Sequence, residues 1–258
     1  MNLLEAAAVF AAGVAAGGIN TVVGSGSLIT FPTLVTLGYP PVVANVSNNI
    51  GLVPGGMTGA YGYRAELAGQ RGRLLRLGSA SVIGAVIGGL LLLGLPAEAF
   101  QVIVVALIAV ALVLVVVQPR LQAWVKRRRE GDGEQPRHGG PLLWVAVLLA
   151  GVYGGYFGAA QGIILIAVLG IALADDLQRV NAAKNVLSAI VNGSAAVLFI
   201  SLSILSDTVI DWWVVLMIAA GSTVGGLLGA KVGRRIPPPV LRGVIVAVGL
   251  VAIVNLVR

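Results

Sequence analysis

Two stretches of this chain, about Leu3 to Gly38 and about Pro141 to Ala174, are apolar over nearly twice the ~20 residues that one helical crossing of a bilayer needs. Neither fits a membrane as one straight helix. Each is broken near its middle by glycine. The first breaks at Gly24-Ser25-Gly26-Ser27, with Pro32 soon after. The second breaks through Gly154-Gly155-Tyr156-Phe157-Gly158 and then Ala159-Ala160-Gln161-Gly162. Glycine disfavours a helix interior and reaches backbone conformations closed to other residues, so the spacing predicts two short helices meeting at a turn. The competing reading is a continuous helix whose glycines allow close packing, in the manner of GxxxG.

Six further apolar segments follow the same chain, at about 41–63, 74–95, 100–117, 180–202, 212–232 and 240–257. With 58% hydrophobic and 10% charged residues and a mean hydropathy of +0.98, the chain is far more apolar than a soluble domain. A soluble enzyme, a disordered chain and a disulfide-rich secreted scaffold are excluded, leaving an all-α integral membrane protein. There is no Cys, so thiolate metal sites and cysteine nucleophiles are excluded too. The single His, His138, lies in a polar gap beside Gly139-Gly140. The first residues carry Glu5 and no Lys or Arg, which argues against a cleaved signal peptide.

The order of segments repeats. After the first break comes Ala44-Asn45-Val46-Ser47-Asn48-Asn49, and after the second comes Val180-Asn181-Ala182-Ala183-Lys184-Asn185. Both read Asn-x-x-x-Asn at a similar distance from the break, and internal duplication on this scale is a transporter signature. The halves are 1–117 and 141–258, joined by a basic linker at 118–140. Arg64, Arg71, Arg73 and Arg76 cluster in one gap, and Arg120, Lys126, Arg127, Arg128, Arg129 and Arg137 in the linker. Basic gaps face the cytoplasm. If both broken segments enter the membrane and return, the gap from Lys231 through Arg234 and Arg235 also faces in. Of the 17 basic residues only Lys184 and Arg258 then lie elsewhere. This assignment gives two inverted repeats, each a re-entrant hairpin plus three transmembrane helices, with both termini outside the cytoplasm. The net charge of +7 is therefore a topology signal and not a nucleic-acid footprint.

Few polar residues remain at membrane depth, and they gather at the breaks and the Asn-rich runs. The candidate substrate-binding residues are Gly24, Ser25, Gly26, Ser27, Asn45, Asn49, Gln161, Gly162, Asn181, Lys184 and Asn185. Helix starts after each break offer free N–H groups and a positive dipole end, and two such ends near the midplane make an anion site. Lys184 adds a cation, with Asn48 as its neutral counterpart in the first half. No Asp or Glu lies at depth, which weighs against a proton-relay carboxylate or a carboxylate cage for Na⁺ or Ca²⁺. The blander readings are that Lys184 snorkels to the interface, that the asparagines glue helices, and that Ser25 and Ser27 satisfy broken-helix carbonyls. Tyr153 and Tyr156 suit packing and a pathway wall equally. Trp212 and Trp213 read as interfacial anchors.

These residues resemble the TauE/SafE sulfite exporter family. The resemblance rests on Gly13-x-x-x-Gly17-Gly18, Gly24-Ser25-Gly26-Ser27 and Pro32 before the Ala44–Asn49 run, and on the second copy from Ala150-Gly151 through Gly162 before Asn181–Asn185. It covers essentially the whole chain and departs from the usual Gly-x-Gly-Gly run at Ser27 and at Ala160-Gln161. It implies a multi-pass transporter in the cytoplasmic membrane for sulfite, sulfonates and other small organic anions, often exporting, with no cofactor and no metal. The expected partners are the anion and membrane lipids, with a monomer or a homodimer both open. An anion channel is the alternative. An intramembrane enzyme lacks a buried His and any metal-ligand cluster.

Overall fold

The computed structural model describes residues 1–131, 140–173, 175–205, 210–232 and 238–257, and every regular element in them is an α-helix. His138 lies outside the described residues, as does most of the basic gap after Lys231. The first half contains α1 (Leu3–Val22), α2 (Ser27–Thr36), α3 (Pro41–Gly62), α4 (Arg71–Gly94) and α5 (Ala97–Gly131). The second contains α6 (Pro141–Tyr156), α7 (Gln161–Ala172), α8 (Leu177–Leu205), α9 (Trp212–Val232) and α10 (Pro238–Val257). Both long apolar stretches are broken at the glycines that the sequence marks. Among the described residues, α1, α4, α8, most of α9 and the Ala99–Leu121 part of α5 are long and apolar enough to cross a membrane. The helices α2, α6 and α7 are apolar but short.

One boundary differs from the sequence reading. The fourth apolar run predicts an end near Val117, but α5 continues through Pro119 to Gly131. Past Gln118 the chain becomes polar while remaining rich in good helix formers, so the apolar run ends and the helix does not. The first part of the expected linker is therefore helical.

Packing in the two halves matches pair for pair. Helix α1 packs on α9 and α6 on α4; α2 lies against α10 and α7 against α5; α3 meets α8, and α5 meets α10. Small residues set the two tightest interfaces. A Cβ on Gly17 would lie 2.3 Å from the Ser222 carbonyl, and one on Gly225 would lie 2.0 Å from the Val14 carbonyl. Between α4 and α6, a Cβ on Gly88 would lie 2.1 Å from the Val152 carbonyl and one on Gly155 2.3 Å from the Ala85 carbonyl. Backbones approach this closely only where glycine removes the side chain, which is how helices associate where burial of apolar surface gives no drive.

Contacts at the helix ends fix where each hairpin opens. The α6–α7 hairpin starts beside α4, where Arg76 donates to the Gly140 carbonyl (2.9 Å) and the Trp144 indole to Ser79 (3.2 Å). It ends beside the α3–α4 loop, where Arg179 donates to the Ala68 carbonyl at 3.1 Å. The α1–α2 hairpin starts at a capping box formed by Asn2 and Glu5 and ends at Tyr39. Burial, and then the nearby carboxylates of Asp211 and Glu5, raise the Tyr39 hydroxyl above its ordinary value, so these three residues share one end of the bundle. The length of α3, roughly 33 Å at 1.5 Å per residue, separates that end from the α3–α4 loop.

Candidate functional site

The tips of the two hairpins touch. At both breaks the chain turns through a glycine in the left-handed region, Gly24 at φ +87° and Gly158 at φ +79°. The Gly162 N–H donates to the Gly24 carbonyl at 3.0 Å. A Cβ on Gly24 would lie 2.4 Å from Gly162 Cα, so neither position admits a side chain without moving the other hairpin. Phe31 of α2 meets Phe157 of the second tip edge to face, with ring centroids 5.3 Å apart. The turn glycine is Gly24 and not Gly26, which is right-handed at φ −57°. Gly26 is small for another reason: its Cβ would strike the Ala16 carbonyl at 2.4 Å.

Each break leaves a helix end whose last carbonyls lack partners within the helix. The Asn-rich helix of the opposite half meets them. At the end of α1, the Lys184 ammonium donates to the Asn20 carbonyl (2.8 Å) and the Thr21 carbonyl (3.3 Å). The amides of Asn181 and Asn185 also reach the Thr21 carbonyl, each at 3.3 Å. At the end of α6, the Asn45 amide donates to the Tyr156 carbonyl at 2.9 Å. Asn48, the counterpart of Lys184, accepts from the Thr30 hydroxyl. Lys184 does not snorkel, since it is 0% exposed. Its position suits it, because an ammonium at a helix C-terminus faces the negative end of the dipole.

The proposed site residues are therefore clustered where the hairpin tips and the two Asn-rich helices meet. Ser25, Ser27, Asn45, Asn48, Asn49, Gln161, Asn181, Lys184 and Asn185 are all buried, and no Asp or Glu is buried among the described residues. Several polar atoms there have no protein partner: Ser25 Oγ, Asn49 Oδ1, Gln161 Nε2, Asn181 Oδ1 and Ser188 Oγ. Buried polar groups are ordinarily satisfied, so a concentration of open ones marks a place built to receive a ligand or water. Lys184 uses two of its three donors on α1, which leaves one. The hydroxyls of Tyr153 and Tyr156 are also buried without partners, and Tyr156 packs on Phe100. Among the described residues no cluster of His, Cys, Asp and Glu could hold a metal ion.

Three contributors escaped the sequence reading. Asn20 and Thr21 act through main-chain carbonyls, which no residue type advertises. Phe31 and Phe157 join the two tips by an aromatic contact that their residue types alone do not announce. The third is a charged cluster at the basic end of the bundle. Arg73 donates to the Asp175 carboxylate and to Gln70 Oε1 (3.0 Å), while Arg179 Nε donates to the other carboxylate oxygen at 3.1 Å. Burial alone would raise the Asp175 carboxyl, but the hydrogen bonds and charges of the two arginines outweigh it and hold it below the usual carboxylate range.

The two broken hairpins meet at their tips among buried polar side chains. The family described as "Sulfite exporter TauE/SafE" matches residues 9–256. The chain belongs to that family. As a TauE/SafE protein it is a multi-pass membrane transporter and not an enzyme. Among its relatives, the "Probable membrane transporter protein YfcA" of Escherichia coli (strain K12) is 26% identical over 222 residues, covering 86% of this chain and 76% of the relative. A "Probable membrane transporter protein" of Haemophilus influenzae is 26% identical over 227 residues, covering 87% and 84%. No solved structure matches this TauE/SafE chain.

Proposed function

We propose that this transporter moves small sulfur-containing or organic anions, sulfite and sulfonates foremost and carboxylates after them, outward across the cytoplasmic membrane. The movement is by alternating access around the site where the two hairpin tips meet. The observation that carries this reading is Lys184: a buried ammonium beside two helix breaks, in an interior where the described residues bury no carboxylate. A monovalent anion would neutralise that fixed charge, so the loaded site would cross uncharged, and a negative-inside potential would favour net export of the anion over the whole cycle. The open donors, Ser25 Oγ, Gln161 Nε2 and the third Lys184 N–H, suit sulfonyl or carboxylate oxygens. The open acceptors, Asn49 Oδ1 and Asn181 Oδ1, suit a ligand that also brings an N–H or O–H, such as hydrogen sulfite or an amino-sulfonate.

The opening of the hairpins at opposite ends of the bundle supports two inverted repeats with both termini outside the cytoplasm. Burial of every site residue in this conformation supports a carrier that occludes its substrate over an open pore. The test is a binding screen of the purified protein against sulfite, sulfate, taurine, isethionate, sulfoacetate and dicarboxylates. At least one anion should bind, and Lys184→Ala should weaken it by roughly 1.5–3 kcal/mol, the worth of a hydrogen bond to a charged group. An anion that binds and is transported by Lys184→Ala as by wild type would remove the main charge from the site.

A further inference from the structure

The charged cluster at the basic end of the bundle joins the two halves. Arg73 stands in the first turn of α4, and Arg179 in the first turn of α8. Their guanidinium groups take separate oxygens of one carboxylate, that of Asp175 in the α7–α8 connection. Gln70 ties the same parts together, donating to the Arg179 carbonyl at 3.2 Å and to the Glu66 carbonyl at 2.9 Å. The neighbouring Asp176 serves the helix instead: it caps α8 by accepting from the Gln178 and Arg179 N–H groups, both at 2.9 Å. The start of α8 therefore does not depend on the Asp175 carboxylate for its cap. Two guanidinium groups around one carboxylate leave an excess positive charge. Along α8, Arg179 precedes Lys184 by five residues, a rise of roughly 7.5 Å, with the two side chains leaving the helix on different faces.

The opposite end of the bundle is closed differently. There the Asp211 N–H donates to Ser47 Oγ at 3.1 Å, and the Asp211 carboxylate accepts from the Val214 N–H at 3.0 Å. Among the described residues that end has a tyrosine and carboxylates, Tyr39, Asp211 and Glu5, and no guanidinium. A fork of two arginines is the arrangement that recognises oxyanions, and a side-chain carboxylate is itself an oxyanion of the same charge and similar span.

We propose that Arg73 and Arg179 form an oxyanion docking site at the mouth of the transport path and that Asp175 is its built-in competitor, which an incoming sulfite or sulfonate displaces as this end opens. The proposal rests on the anion-transporter reading above. While Asp175 holds both arginines, the α3–α4 loop and the α7–α8 connection are locked and the mouth is shut. An anion that takes the guanidinium groups frees Asp175, unlocks the two halves and has little more than one turn of α8 to pass before Lys184.

The experiment is sulfite and methanesulfonate binding to the purified full-length protein, comparing wild type with Asp175→Asn, Arg73→Gln and Arg179→Gln. Removing the competitor should tighten binding, and removing either arginine should weaken it, each by about tenfold. An ion pair that only braces the fold predicts one sign for all three variants, since each breaks the same pair, and that result would overturn the proposal. Equal affinity in all four proteins would overturn it too while leaving the central site standing. Wild type binding neither anion would overturn the anion-transporter reading and the docking site with it. Should Asp175→Asn fail to fold, Arg179→Lys keeps the charge of the brace while removing one guanidinium fork; affinity for both anions unchanged from wild type in that variant would overturn the docking site.

Discussion

The C-termini of α1 and α6 are the same kind of place: a half-helix stopped inside the bundle, its last carbonyls facing the Asn-rich helix of the other half. They are met unequally. The end of α1 receives an ammonium and two amides, whereas Asn45 supplies the one side-chain donor described at the end of α6. A helix end carries roughly half a negative charge. At α1 that partial charge is balanced by Lys184 with positive charge to spare, while at α6 it is balanced only by a dipole. The duplicated scaffold therefore supplies shape twice and charge once. Lys184 is also a tethered cation, already engaged by the α1 carbonyls, so the anion proposed to bind there would meet a partly neutralised charge. On the proposed function, that tether would let the site release its ligand as well as bind it.

Moving the charge is the strongest way to break this comparison. Lys184→Asn should cut anion affinity by an order of magnitude or more, by loss of a charge-assisted bond, and should lower the melting temperature in detergent as the α1 carbonyls lose their ammonium. Adding Asn48→Lys moves the cation to the α6 side. If the halves are equivalent in shape, the double variant should recover part of the lost affinity. A double variant no better than Lys184→Asn alone would show that the two ends differ in more than charge.

The turns offer the next contrast. Gly24 and Gly158 share a left-handed backbone, but a side chain at Gly24 would collide with the other hairpin, with Gly162 Cα at 2.4 Å from its would-be Cβ, whereas at Gly158 the other hairpin's Ser27 Oγ stands at an ordinary 3.7 Å. At Gly158 the nearest atom is the Gly154 carbonyl at 3.2 Å. Gly158→Ala should cost about 1–2 kcal/mol, the strain of a left-handed alanine. Gly24→Ala should cost that strain plus a backbone collision, and should stop transport. Thermal denaturation alongside a transport assay would check both. Equal losses in the two variants would mean that the tips do not press on each other.

Much of this arrangement was legible in the chain. The two breaks, the repeated Asn-x-x-x-Asn and the lone intramembrane lysine each follow from a polar or flexible residue placed where a membrane makes it conspicuous. The role of each glycine was not. Gly13, Gly17, Gly151 and Gly155 pack helices while Gly24 and Gly158 turn the chain, so the stretches are broken and not continuous, and the close packing that the competing reading expected is found on the half-helices beside each break. Composition cannot separate them, because a close helix crossing and a left-handed turn ask for the same missing side chain. Nor could the sequence show that Lys184 faces α1, since its acceptors are the main-chain carbonyls of residues 164 and 163 positions away. Arg73 reads in the sequence as one topology charge among four, and only its convergence with Asp175 and Arg179 across the two halves sets it apart.

The smallest expected effect lies at Ala160, where the tips diverge most. Its first-half counterpart by position in the break, Gly26, is right-handed, yet Ala160 is left-handed at φ 61° and fully buried. Three terms act on Ala160→Gly. Relief of the left-handed strain gains about 1–2 kcal/mol. Loss of one buried methyl costs about 0.8 kcal/mol. The extra freedom that glycine gives the unfolded chain costs a further ~0.4–1 kcal/mol. These nearly cancel, so the variant should melt within a few degrees of wild type and keep its transport rate, in contrast to Gly24→Ala. A clear loss of stability would mean that the Ala160 methyl holds the second tip in place by packing. The second hairpin would then keep its turn by a side chain where the first keeps it by the absence of one.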